Sequence, residues 1–196
     1  VSKCVEILQQ QSVYSGFFRL ERYTIKHTLF AGGWSRPISR ELFRRNDCVA
    51  VLLYDPQRDA VVMLEQFRIG AILHEHEPWL LEIVAGAIEE GETAREVACR
   101  ESLEEAGCEV LELEEIMQFY TTPGGSSERI TLYYAQVDSS QLGGVHGLVA
   151  EDEDILVSVI PAEQVFQLLT ERKIVSAIPI LALQWLYIHR SRLRQV

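Results

Sequence analysis

Residues 86–108 read GAIEEGETAREVACRESLEEAGC, and their spacing decides what surrounds them. Thr93-Ala94-Arg95-Glu96 has the form of a capping box, a hydroxyl residue followed three positions later by a glutamate, so a helix is expected to start at Thr93. Gly107 is the natural stop, because glycine accepts the left-handed conformation that ends many helices. Between them lie Glu101, Glu104 and Glu105. Spacing of i, i+3 and i+4 puts the three carboxylates within about 100° of arc on one helix face. Like charges that close repel, an arrangement that makes sense where a cation is to sit among them. Cys99, Leu103 and Ala106, on the other side, are small and apolar enough to lie on a sheet.

Outward from this helix the chain alternates strands and helices. Residues 79–88 are expected to form one strand running up to Gly86. Before it, residues 48–54 (CVAVLLY) and 60–69 (AVVMLEQFRI) flank Asp55-Pro56 and read as a hairpin. Further upstream, residues 17–30 (FFRLERYTIKHTLF), a Gly32-Gly33 turn and residues 37–45 (PISRELFRR) read as strands of an antiparallel unit. Downstream, strands are expected around residues 116–120, 130–137 and 155–160. Helices are expected from Ala162 to about Arg172 and from Ser176 to Arg194. Strands on both sides of helices imply an α/β fold with a mixed sheet and helices packed on it. The first 45 or so residues would bury little alone, so the chain divides into a β region, 1–45, and a main domain, 46–196.

Composition narrows the function. A chain of 196 residues with 47% hydrophobic content carries a real core. Its net charge of −11 argues against a nucleic-acid partner bound by broad phosphate neutralisation. A small anionic substrate remains open, provided a metal or a few arginines meet its charge. Cys4, Cys48, Cys99 and Cys108 lack CxxC spacing and read as reduced, mostly structural thiols. The longest apolar tract, residues 178–188, is interrupted by Pro179 and Gln184 and is too short to span a bilayer. No signal-peptide pattern opens the chain, so a cytoplasmic protein is expected. The histidines show no metal-ligand spacing, and His74-Glu75-His76 reads as an exposed loop.

The segment matches the Nudix box, Gly-x5-Glu-x7-Arg-Glu-U-x-Glu-Glu-x-Gly-U with U a bulky apolar residue. Gly86, Glu92, Arg100, Glu101, Glu104, Glu105 and Gly107 stand at the fixed positions. The U positions hold Ser102 and Cys108; Ser102 departs from the pattern at a packing position without touching a charged role. A solvated acidic helix face, the common meaning of a glutamate cluster, leaves the glycines and Arg100 unexplained. The resemblance implies a Nudix α/β/α sandwich with a mixed sheet plus a small N-terminal antiparallel sheet. It also implies that the carbonyl of Ala85, Glu101 and Glu105 hold metal, with Glu104 assisting. Magnesium, with manganese as the alternative, suits such hard oxygen ligands. Arg100 can orient a neighbouring carboxylate, and Gly86 permits close approach of the backbone.

Beyond the box the chain resembles the ADP-ribose pyrophosphatase branch over nearly its full length. Pro123, 16 residues after Gly107 within TTPGGSSE, is similar to a marker of that branch. Such a loop is either a plain strand-to-strand turn or, with free N–H groups, a cradle for phosphate or ribose. HGLVAEDEDI (residues 146–155) resembles the branch's mobile acidic loop, with Glu151 as general base and Glu153 as a further metal contact; which of the two is the base stays open. Arg68 can fork onto a phosphate. Arg40 and Glu41 resemble an element that reaches across a homodimer. Phe17 and Phe18 either stack on adenine or, as strand aromatics, belong to the core. Thr122 and Glu128 resemble ribose contacts, and Arg45 is a weaker substrate candidate. The implied reaction is hydrolysis of ADP-ribose to AMP and ribose 5-phosphate. A GDP-mannose hydrolase of the same family is the nearest alternative, and a non-catalytic nucleotide sensor a more distant one.

Overall fold

The computed structural model describes residues 2–73 and 77–195; the loop expected at His74-Glu75-His76 lies outside them. In chain order the elements are β1 (Val5–Ser15), β2 (Arg19–His27), β3 (Ile38–Arg44), β4 (Cys48–Asp55), β5 (Ala60–Phe67), β6 (Trp79–Glu82) and β7 (Val84–Ala87). Helix α1 (Ala94–Ala106) follows, then β8 (Glu112–Tyr120), β9 (Arg129–Gln136), β10 (Gly144–His146) and β11 (Ile155–Pro161). Helices α2 (Ala162–Thr170) and α3 (Ala177–Leu193) close the chain. Two compact units emerge, one from the residues up to Asp47 together with Phe119–Arg129, the other from Cys48–Gln118 and the residues from Ile130 on.

The first unit holds an antiparallel sheet in the order β1-β2-β3. All of β1 is exposed. With no buried face to impose alternation, VEILQQQSVYS carries no strand signature, which is why no individual strand is legible over most of its length within the expected β region, 1–45. Phe17 and Phe18 lie in the turn between β1 and β2 rather than in a strand, and Phe17 is 95% exposed, so it is no core residue.

The second unit holds the mixed sheet, ordered β10-β11-β5-β4-β9-β8. Strands β4 and β5 pair only beside their turn, at Tyr54↔Val61 and Asp55↔Ala60. Beyond that point β7 pairs with β4 and β6 with β5. Residues 79–88, expected as one strand, are therefore two, because the chain changes partner at Ile83, which is 1% exposed. Strand β4 also runs parallel to β9 from Cys48↔Ile130 to Tyr54↔Gln136. Buried on both faces, it reads as the unbroken apolar run of a central strand.

Alternation along β4 feeds two cores. Val49, Val51 and Leu53 join Val97, Ala98 and Ala106 of α1. On the opposite face Tyr54 lies 6.5 Å from Tyr134, which lies 5.7 Å from Trp185 of α3. Val49, Val51, Leu53 and Val97, fully buried, each stabilise by roughly 1.5–3 kcal/mol. The product is the helix–sheet–helix sandwich expected, and Arg190 ties α3 to the β4–β5 turn through Asp59, at 2.8 Å from Nε, and to Glu163 at 3.1 Å.

Helix α1 begins and ends as its sequence dictates. Thr93 Oγ1 accepts from the Glu96 N–H at 3.3 Å while the Thr93 N–H donates to Glu96 at 2.9 Å. Gly107 adopts φ 60° and donates to the Leu103 carbonyl, and Cys108 to that of Ser102. The buried face, however, is Val97, Ala98, Ser102, Glu105 and Ala106. Cys99 is exposed and Leu103 is 56% exposed, so of the three residues expected on the sheet only Ala106 lies there. The buried Ser102 hydroxyl donates to the Ala98 carbonyl at 2.7 Å, which satisfies it without a partner outside the helix.

Candidate active site

The glutamates of α1 sit at three depths. Glu104 is partly exposed, Glu101 is 13% exposed at its side chain, and Glu105 is 3% exposed. Arg100 organises the outer part. Its Nε and one terminal nitrogen grip Glu92 at 3.0 and 3.2 Å, and the other terminal nitrogen donates to Glu101 and Glu104, each at 2.9 Å. This fork locks the loop before the helix onto its last turns. Glu105 accepts one hydrogen bond, from the Ala85 N–H at 3.0 Å, and thereby ties α1 to β7. At Gly86 an added Cβ would run into the Glu101 carboxylate.

Burial dominates the electrostatics here. Desolvation pushes Glu105 up to about 8 and Glu101 up to about 7, against the pull of the Ala85 N–H on one and Arg100 on the other. Glu153 raises both further. Three carboxylates thus feel one another in a place where water is scarce. Among the described residues no group of three or more acidic, histidine or cysteine side chains already converges as a ready-made cation cage. The donor set nonetheless suits a hard divalent cation that brings its own waters and takes substrate oxygens, because its ligands are carboxylates in excess of the positive charge nearby.

The acidic loop follows β10. Just before that loop, residues 144–146 pair with β11. Glu151 ends a short 3-10 turn and is exposed. Glu153 accepts from the Leu148 N–H at 3.1 Å. Arg68 pairs with Glu82 at 2.7 Å, and its charge reaches Glu105. A cleft of about 290 Å³ is lined by Gln66, Arg68, Trp79 and the loop from Glu151 to Asp154.

The remaining candidates belong to the first unit. Arg45 pairs with Glu128 at 2.9 Å and lies over the Phe18 ring, 4.9 Å from its centre. Phe17 meets Phe18 edge-on at 4.8 Å, and Phe18 meets Phe43 at 4.8 Å. The Pro123 loop is stitched to the end of β3: the Phe43 N–H donates to the Gly125 carbonyl, and the Arg45 N–H to Ser127. Thr122 accepts the Gly125 and Ser126 N–H groups at its carbonyl, and Thr121 donates to Glu128 at 3.0 Å. Phe17, Phe18, Arg45, Thr122 and Glu128 therefore form one neighbourhood. Arg40 and Glu41 engage elsewhere, Arg40 with the Ser39 carbonyl and Glu41 with Arg22.

A NUDIX domain model matches residues 44–181. The chain belongs to the Nudix family. It is 46% identical over 194 residues to an ADP-ribose pyrophosphatase of Haemophilus influenzae, covering 97% of this chain and 89% of that protein. An Escherichia coli ADP-ribose pyrophosphatase is 45% identical over 190 residues, covering 97% and 91%. A GDP-mannose pyrophosphatase of Citrobacter koseri is 30% identical over 196 residues, covering 98% and 99%. In fold, the chain is similar to a crystal structure of an ADP compounds hydrolase, with a TM-score of 0.68 at 22% identity over 94% and 95% of the two chains.

Two side chains at this Nudix site escaped the sequence. Glu82 holds Arg68, and Gln66 stands in the cleft wall. Both sit among apolar residues on strands, LLE and MLEQF, and a polar residue on the buried face of a strand was the available signal.

Proposed function

We propose that this Nudix protein hydrolyses the diphosphate bond of ADP-ribose, giving AMP and ribose 5-phosphate, with magnesium as its metal. The likeness to ADP-ribose pyrophosphatases at 45–46% identity, against 30% for a GDP-mannose pyrophosphatase, is the observation that carries the substrate. The carboxylate excess on α1 carries the chemistry. Ala85, Glu101, Glu105 and Glu153 would hold the metal. When bound, the cation neutralises diphosphate charge and polarises the attacking water.

The chain's own residues supply the rest. Arg100 fixes Glu101 and Glu104 so that neither of these two carboxylates has to be ordered during turnover. Arg68 offers a fork to a phosphate oxygen. Glu151, exposed at the end of its turn, takes the proton of the water that attacks phosphorus. Phe17 and Phe18 offer faces for the adenine ring, and Arg45, Thr122 and Glu128 polar contacts for the ribose, with Arg40 and Glu41 contributing from a second subunit. A homodimer fits the exposed β1, where Val5, Ile7 and Tyr14 are all more than half exposed. We place the protein in the cytoplasm, where its free thiols stay reduced. Among the described residues no helix is long and apolar enough to cross a membrane.

The test is direct. Purified protein is offered ADP-ribose, GDP-mannose, NADH and diadenosine polyphosphates with magnesium, and the products are identified. ADP-ribose is expected to give the highest kcat/KM. Preference for GDP-mannose would transfer the reading to the nucleotide-sugar hydrolases, and no turnover of any of them would support a sensor.

A further inference from the structure

Strand β5 is buried at every position except Glu65 and Phe67, and one of its buried residues is an amide. Gln66 is 7% exposed, and its Nε2 has no hydrogen-bond partner among the described residues. Buried donors are nearly always paired, and leaving one unmade costs about 1–3 kcal/mol. Such a group is retained at a loss unless something else satisfies it.

Position says what that is. By strand periodicity Gln66 shares its face with Leu64, which packs in the core under α1, and with Arg68, whose charge acts on Glu105. Gln66 also lines the cleft, together with the acidic loop from Glu151 to Asp154. Glu153 of that cleft accepts from the Leu148 N–H and the neighbouring Glu82 accepts from Arg68, and neither takes the Gln66 amide. A neutral donor beside an arginine, in a cleft otherwise rich in carboxylates, matches a ligand that brings only acceptors. Phosphate oxygens at neutral pH are such acceptors, and the amide recognises them without adding charge beside the glutamates.

We propose that Gln66 is a substrate-positioning residue whose amide Nε2 donates to a diphosphate oxygen of the bound substrate. This rests on the reading of a nucleoside diphosphate derivative as substrate. It also explains why an orphan donor persists in the core: its partner arrives with the ligand.

Two opposed readouts test it. Gln66→Met keeps the volume and removes the donor. Ligand-free Gln66→Met is expected to melt at or above the wild-type temperature, because the unmet amide is gone. Its affinity for the methylene analogue of ADP-ribose, which is not hydrolysed, is expected to fall roughly tenfold by calorimetry with magnesium. KM for ADP-ribose should rise more than kcat falls. Gln66→Glu, which sets a carboxylate against phosphate, should weaken the analogue further. Wild-type affinity in Gln66→Met would overturn the proposal, as would a lowered melting temperature with unchanged affinity, the mark of a purely structural amide. Wild-type turnover of ADP-ribose tests the substrate reading separately. Should that fail while the methylene analogue of ADP-ribose still binds wild type more tightly than Gln66→Met, the role of Gln66 stands and the substrate changes.

Discussion

The two acidic neighbourhoods of this protein are built on opposite principles. In the unit that carries α1, Glu101 and Glu105 are withdrawn from water, repel each other and Glu153, and rise above the ordinary carboxylate range. In the unit that carries the Pro123 loop, Glu128 is matched by Arg45, which itself lies on an aromatic ring. The first is a charge excess that asks for a cation. The second is already balanced, and offers shape, rings and hydrogen bonds. In the proposed function, chemistry belongs to the first and recognition to the second, so substitutions in the two places should fail in different ways.

The largest effect is expected from Glu105→Gln. The amide keeps the volume and can still accept from Ala85, so the fold should hold, while kcat for ADP-ribose should drop about 10²–10³-fold even at saturating magnesium. A near-normal rate would remove Glu105 from the metal-holding set. Next comes Gly86→Ala, whose new methyl displaces the Glu101 carboxylate. Misplacing a group at the reacting centre costs about 10²-fold in rate, and circular dichroism should show α1 intact. A loss of helix instead would mean that Gly86 serves packing, not the position of Glu101.

The other neighbourhood should respond in binding. Arg45→Ala removes the ion pair to Glu128 and uncovers Phe18; KM is expected to rise about tenfold with kcat within about twofold. A fall in kcat with KM unchanged would erase the division of labour between the two places.

How much of this was legible in the sequence follows from the same contrast. Thr93, Gly107 and the glutamate spacing announced α1 because caps and charge act locally along the chain. The helix's buried face was misread: Cys99 and Leu103 are apolar yet exposed, whereas Ser102 and Glu105 are polar yet buried. Hydrophobicity alone misleads where a helix turns carboxylates inward. Strand β1 was missed because it buries nothing, and β10 because two of the three residues that precede or open it are glycines, which mask a strand. Arg45 and Glu128 are far apart in sequence, so only the fold brings them to 2.9 Å.

The smallest effect concerns the frame of the unit that carries α1. Hydrogen bonding from Arg190, with Tyr54 and Arg194 adding to it, holds Asp59 below the ordinary carboxylate value. A depressed acid stabilises the fold above its unfolded pKa of about 4, and that contribution is lost as pH falls through the folded value. Asp59→Asn should therefore cost on the order of 1 kcal/mol in urea unfolding at pH 7. The gap to wild type should close as pH is lowered from about 5 toward 3, with kcat at pH 7 unchanged. A gap that persisted at low pH would assign Asp59 to packing instead.

The central claim is that water attacks a phosphorus of ADP-ribose under the control of the α1 glutamates. Hydrolysis in oxygen-18 water with magnesium, followed by mass spectrometry of the products, tests it most directly. The account predicts AMP and ribose 5-phosphate in equal amounts, with one heavy oxygen in the phosphate of one of them. Release of ADP and free ribose, or heavy oxygen on a sugar carbon, would contradict it.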